Sequence, residues 1–295
     1  MSRFILLIIF FIAFNTNATE SSKKVKKSKS APIARVSNSV AKPWQPDVFV
    51  YEGEKLPPKY NGINSKRFYE MFQSNLKKLE KKEFETTQEF ELRTSNKNEL
   101  LLPISTSELY AFRMFQYFNL NQKYDADAKA YKIEQLIACS GPVTDGKNDN
   151  KWLVCPIELV KSENSTYAGS NAYGLTVEVD RTIGLKLSLA ISENQISFKN
   201  MLSKNTDYSA YNYSYKDDLP IPVDKAVGLK NKTIAVIFVG QILEAKTVKG
   251  YGEHSRATIE WTYEKSIDEE AIPFDLKKVV YYVYETGEIL GTKEF

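Results

Sequence analysis

The sequence predicts an α+β fold, with an N-terminal helical hairpin packed on a mainly antiparallel β-sheet body, either a sandwich or an open barrel. Three observations carry this reading. Helical periodicity is confined to a short section between residues 64 and about 95. Beyond Leu100, apolar and aromatic runs are separated by turn residues, without the long alternating helices of a doubly wound fold. A hydrophobic content of 42% over 295 residues is ample for one core.

The chain opens with Met1-Ser2-Arg3 and an unbroken apolar run over residues 4–14. Eleven residues make a helix of about 16 Å, half the hydrocarbon core of a bilayer, which suits a secretory signal rather than a span. Thr16 and Ala18 stand at −3 and −1 of a cleavage point before Thr19, so residues 1–18 read as a signal peptide. Residues 19–46 read as a disordered linker, with seven basic residues against Glu20 and three prolines. Residues 47–295 read as a single globular domain with a sub-boundary near residue 100, and no later segment reaches transmembrane length.

Within that domain, Asn64 or Ser65 caps a helix running to about Leu79, with Phe68, Phe72 and Leu76 on one face. Thr86 and Glu89 form a capping-box pattern that opens a second short helix, whose Phe84 and Phe90 are expected to pack on the first. Strands are expected over residues 109–118, 131–139, 152–160, 175–180, 184–191, 233–243, 257–263 and 278–284. The run of residues 234–239 reads as a central strand buried on both faces, and Asp224 to Leu229 as one helical turn before it. Gly141-Pro142 and Asp145-Gly146 mark a loop over residues 140–150. Cys139 and Cys155 flank it on facing strands, and an oxidising compartment favours their disulfide.

The composition restricts the chemistry. One histidine and two cysteines exclude a His-rich metal centre and a four-cysteine zinc site, and a net charge of +3 gives no basis for nucleic-acid binding. His254, in a glycine-flanked loop, reads as a surface residue with no partner for a nucleophilic triad. Asp125 and Asp127 are the neatest carboxylate pair and the only footing for an alternative reading, a glycan or peptidoglycan hydrolase; a turn explains them better. The Asp145–Asn150 run resembles a calcium loop only until Lys147 and the absent late glutamate break its spacing. No catalytic residue, metal ligand or cofactor site is assigned. Tyr208, Tyr211, Tyr213 and Tyr215 form an aromatic cluster that serves either as a binding surface or, through its period of two, as core.

The segment Lys81-Lys82-Glu83-Phe84-Glu85-Thr86-Thr87-Gln88-Glu89-Phe90, with Arg93 after it, resembles a K-x-E-F-E-T-T-x-E-[FY]-x-x-R segment that recurs in uncharacterised bacterial exported proteins. The stretches 124–127, 169–174 and 286–289 are similar to later segments of such proteins. The resemblance implies a periplasmic setting and transfers no catalytic residue. The expectation is therefore a periplasmic, non-enzymatic protein that binds a protein or an envelope polymer, one version being an immunity protein that neutralises a toxin. The rivals are the carboxylate hydrolase and a wall-associated protein held by its Lys-rich linker.

Overall fold

The structure is a computed structural model that describes residues 44–295 except 52, 54, 96–99, 116–120, 145–149, 171 and 205–211. The expected signal peptide and nearly all of the expected linker lie outside the described residues, as do Tyr208, Tyr211 and the calcium-like run up to Asp149.

Among the described residues, two complete helices precede the sheet. In α1 (Ser65–Lys78) the Asn64 side chain accepts from the Arg67 amide at 2.9 Å, and Phe68 and Phe72 are fully buried one turn apart. In α2 (Thr87–Thr94) the expected capping box is complete: Thr86 accepts from the Glu89 amide while Glu89 returns to the Thr86 amide at 2.9 Å. Arg93 forks onto Glu85 with contacts of 2.7 and 2.8 Å, and also donates to the backbone carbonyls of Lys78 and Glu80 behind α1. That guanidinium, with the Lys82 amide, holds the Glu85 carboxyl down to about 2. The expected packing of Phe84 on α1 is not what forms. Closing the 82–86 turn around the Glu85 carboxylate sends the neighbouring Phe84 outward, where it is 93% exposed, while Phe90 is half-buried beneath Arg93.

The remainder is a large mixed sheet of twelve strands. In chain order they are β1 (Tyr110–Arg113), β2 (Asn121–Asp125), β3 (Ala130–Thr144), β4 (Lys151–Ser170), β5 (Thr176–Ser192), β6 (Leu202–Lys204) and β7 (Asn212–Pro220). Then come β8 (Ile234–Ile242), β9 (Val248–Lys249), β10 (Glu253–Ser255), β11 (Tyr263–Val283) and β12 (Ile289–Glu294). Short helices α3 (Ile196–Lys199) and α4 (Val223–Leu229) interrupt the later strands, α4 where a helical turn was expected. The strand order is β1-β8-β11-β5-β4-β3-β7-β6, with β2 on β3 and β9, β10 and β12 on β11. Pairing is antiparallel throughout except between β5 and β11, which run parallel. Strand β11 carries β8, β9 and β10 along one edge and β5 followed by β12 along the other.

Several expected boundaries differ: the strand expected over 152–160 runs on to Ser170, and the one expected over 278–284 begins at Tyr263. Residues 175–180 and 184–191 belong to one strand, β5, because Gly184 continues it: a Cβ there would come within 2.8 Å of the Lys161 carbonyl. The expected 140–150 loop is shorter, since β3 runs on through Gly141-Pro142 to Thr144 with a register shift between Ser140 and Val143. The expected strand over residues 257–263 is instead a tight turn, closed by the Thr258 amide to the Trp261 carbonyl at 2.8 Å and the Trp261 amide to the Thr258 hydroxyl at 3.0 Å.

Strand β8 is buried on both faces, as its unbroken apolar run implies. Ile234, Val236 and Phe238 enter the main core with Phe68, Phe112, Ile191 and Tyr281. Ala235, Ile237 and Val239 face a second cluster with Phe49, Leu56, Val280 and Tyr282. Cys139 and Cys155 form the expected disulfide within the main core. Among the described residues no helix is long and apolar enough to cross a membrane.

Two outcomes follow. Reducing the bridge, which spans a sequence separation of 16, is expected to lower the unfolding free energy by about 3 kcal/mol, read as a lower urea midpoint with reductant than without. The Glu85–Arg93 pair stabilises α2 fully above the unfolded glutamate pKa near 4.5, and that contribution is lost as pH falls through about 2. Hydrogen-exchange protection of α2 should therefore fall across this window in the native chain and be low and flat in Glu85→Gln.

Candidate functional site: a projecting arm of the sheet

The outer half of β4 leaves the core. Residues 152–157 are buried, Val160 is the last buried position, and residues 161–168 are all exposed. Strand β5 pairs with this half from Gly184 opposite Ser162 out to Thr176 opposite Ser170, and β11 joins at Tyr263 beside Asp180. Ten residues of strand reach about 33 Å, so the three strands make a long arm with both faces in solvent. At its tip Tyr173 is 95% exposed, and Trp261, on the turn that leads into β11, is 65% exposed.

Directly paired residues share a face, and the two faces of the arm differ. On one, Tyr167 of β4 donates its hydroxyl to Glu264 of β11 at 2.8 Å, and Arg181 of β5 contacts the other oxygen of Glu264 at 2.8 Å. The accepting carboxylate pushes the Tyr167 phenol up, so it remains a donor. Because β5 lies between β4 and β11, the Tyr167 ring must lie flat across it, over Val179, which is only 2% exposed despite its place in the arm. On the opposite face, Tyr263 donates to Thr182 at 3.1 Å and Thr182 donates to Asn164 at 2.9 Å. Thr166 and Asp180, paired across β4 and β5, complete an open groove of about 530 Å³ beside this ring.

The arm is clamped at its root by four charges. Lys186 of β5 stands opposite Glu269 of β11 and lies 3.4 Å from it and 3.4 Å from Glu253 of β10; Lys265 closes onto Glu253. The Glu269 side chain is 1% exposed and also accepts from the Ser188 hydroxyl at 2.5 Å. The loop Gly250-Tyr251-Gly252 wraps this carboxylate, and only glycine fits at 250, where a Cβ would sit 2.4 Å from Glu269 Oε2. Tyr251 reaches across to the Pro142 carbonyl at 3.0 Å, over a cavity of about 360 Å³ bordered by Cys139, Pro156 and Lys186. Two cations and two anions neutralise one another, so the cluster joins β5, β10 and β11 without presenting net charge to a ligand. The sequence reading missed it, because single charged residues inside apolar strands carry no local motif; the Gly-Tyr-Gly tripeptide was the one available signal.

The residues singled out from the sequence lie elsewhere. Tyr215 is fully buried, its hydroxyl bonded to Tyr281, which in turn donates to Asp217; burial pushes both phenols up. Tyr213, on the same face of β7, is half-buried against the main core. Both therefore take the core side of the alternative, because β7 packs its odd-numbered tyrosines inward. Asp125 sits in the β2–β3 turn, where its carboxylate accepts the amides of Asp127 at 3.1 Å and Ala128 at 3.0 Å, which hold it below its ordinary pKa. Asp125 is half-buried and Asp127 exposed, and the two converge on nothing but that turn. His254 is exposed on β10, 3.9 Å from Asp268, and among the described residues no three His, Cys, Asp or Glu side chains group to hold a metal.

Truncating one member of the buried pair leaves the other charge half-satisfied. Glu269→Ala is expected to destabilise the fold by about 3–5 kcal/mol, and the double change Lys186→Met with Glu269→Leu to recover most of that loss, both read by urea unfolding. No protein-family model, curated protein or solved structure matches this chain.

Proposed function

We propose that this chain is an exported, non-enzymatic binding protein of the bacterial periplasm, and that it engages a macromolecule of the envelope through its projecting arm. The observation that carries the reading is the arm itself: large side chains, among them Tyr167, Tyr173, Trp261 and Tyr263, held at or near the surface of strands and turns that bury little beyond Val179 there. A sheet that extends this far past its core forgoes the burial that stabilises strands, and a partner that covers it restores that burial. The signal-like leader and the Cys139–Cys155 bridge support an oxidising destination. In this reading the helices pack as a hairpin on a sheet that curls toward an open barrel, a compact body from which the arm reaches out. An immunity protein is one form the function takes, a protruding element being suited to plugging a toxin.

The test is cosedimentation of the purified full-length protein with fragments of a bacterial envelope. Changing Tyr167, Tyr173, Trp261 and Tyr263 together to serine should abolish cosedimentation while the melting temperature stays within a few degrees of the native value, since none of the four enters a core cluster. Undiminished cosedimentation of a folded quadruple variant would overturn the proposal.

A further inference from the structure

The two faces of the arm differ in chemistry, and the face bearing Tyr263 is the more specific. Its ring is immobilised, because the hydroxyl is committed to Thr182 and the backbone is fixed in register beside Asp180. A tyrosine held by its tip in this way offers the plane of its ring rather than its phenol. Around the ring stand three side chains with hydrogen-bonding capacity to spare. Asn164 uses its carbonyl oxygen for Thr182, which leaves both amide protons as donors. Thr166 contributes a hydroxyl that donates and accepts, and Asp180 a carboxylate that accepts twice. Thr166 and Asp180 are directly paired, and Asn164 and Thr182 are paired two residues further along, so all four point to one side.

The charges narrow the ligand further. Lys265 shares this face with Thr182 but is committed to Glu253, and the Arg181 guanidinium is turned to Glu264 on the opposite face. The groove therefore holds one carboxylate and no uncommitted cation, an arrangement that repels phosphate and uronate groups. A flat aromatic plane beside a carboxylate, an amide and a hydroxyl matches an uncharged sugar: the apolar C–H face of a pyranose stacks on the ring, and vicinal hydroxyls or an acetamido group bond to the rim. The groove is open along the strands, so it accommodates a chain that continues in both directions rather than an isolated monosaccharide.

We infer that the Tyr263 face of the arm, with Asn164, Thr166, Asp180 and Thr182, binds an uncharged glycan chain of hexose or N-acetylhexosamine units. This rests on the arm being the binding surface proposed above. It goes further in naming the partner's chemistry and in assigning one face to it.

The experiment titrates cellotriose and N-acetylchitotriose separately into the full-length protein by isothermal calorimetry, with heparin trisaccharide as the anionic comparison. Saturable binding of at least one neutral oligosaccharide, with none of the anionic one, is expected. Tyr263→Ala and Asp180→Ala should each weaken it by about tenfold, the loss of one stacked ring or one bidentate acceptor. Tyr263→Phe, which keeps the ring and loses only its tether, should stay within about threefold of the native protein. Absence of binding to both neutral probes, or affinity indifferent to Tyr263→Ala, would overturn the inference. If the neutral probes fail while envelope cosedimentation persists and is lost in the quadruple variant, the glycan assignment falls and the arm remains the binding surface. If cosedimentation is also absent, both fall.

Discussion

The parallel seam between β5 and β11 is the constraint on which the rest of this structure depends. Twelve consecutive residues of each strand are in register, from Tyr263 beside Asp180 to Phe274 beside Ile191. One end of the seam lies in the main core, where Ile191 and Phe274 are buried, and the other lies in the arm. A single pairing thus transmits the rigidity of the core to a surface far outside it. Parallel neighbours cannot be joined by a tight turn. The chain between β5 and β11 accordingly travels through α3, β6, β7, α4 and β8 before it returns, and that detour places β8 on the opposite edge of β11.

The buried charges at the middle of the seam are explained by register rather than by stability. An ion pair removed from water recovers little net energy over an apolar pair of similar volume. The apolar residues of β5, however, repeat with period two from Ile183 to Ile191, so a slip of two positions would keep them all on the same face of the sheet. Lys186 meets Glu269 only in the observed register. A slip of two positions would set Glu269 opposite Gly184 or Ser188 and break its direct pairing with Lys186, leaving a buried carboxylate without its cation, a penalty of several kcal/mol that the apolar pattern alone does not impose. The glycines of the 250–252 loop belong to the same device, since they let backbone close over Glu269 without a side chain between them.

The contrast between what was legible in the sequence and what was not follows the range of the interactions. The Asn64 cap, the Phe68 and Phe72 stripe, the Thr86–Glu89 box, the two-faced burial of β8 and the cross-strand disulfide are set by residues within a few positions of one another, or by an unbroken apolar run. Strand β11 is 21 residues long because its partners β8, β9, β10, β5 and β12 line up along it, and none of those partners is visible from its own composition. Its charged first half is assigned to no strand from sequence, between one expected at 257–263 and another at 278–284, for that reason. The arm was hidden by the same logic: β4 from residue 161 onward has no hydrophobic alternation, and it is a strand only because β5 pairs with it. Tyr215 illustrates the reverse, a residue whose period was read and whose depth was not, since the Tyr281 and Asp217 that receive its hydroxyl network come from β11 and further along β7.

The segment over residues 81–93 has a physical account that requires no function. Within twelve residues the Lys82 amide and Arg93 both bond Glu85, Thr86 and Glu89 bond each other, and Arg93 reaches the carbonyls of Lys78 and Glu80 at the end of α1. These contacts close a turn, cap a helix or anchor it. A self-contained unit of this kind is accounted for by local folding, without any substrate. Asn164, Thr166 and Asp180, beside the tethered ring of Tyr263, are built the other way: they keep hydrogen-bonding capacity unspent toward solvent. The most patterned stretch of the sequence and the surface proposed to bind are therefore different places.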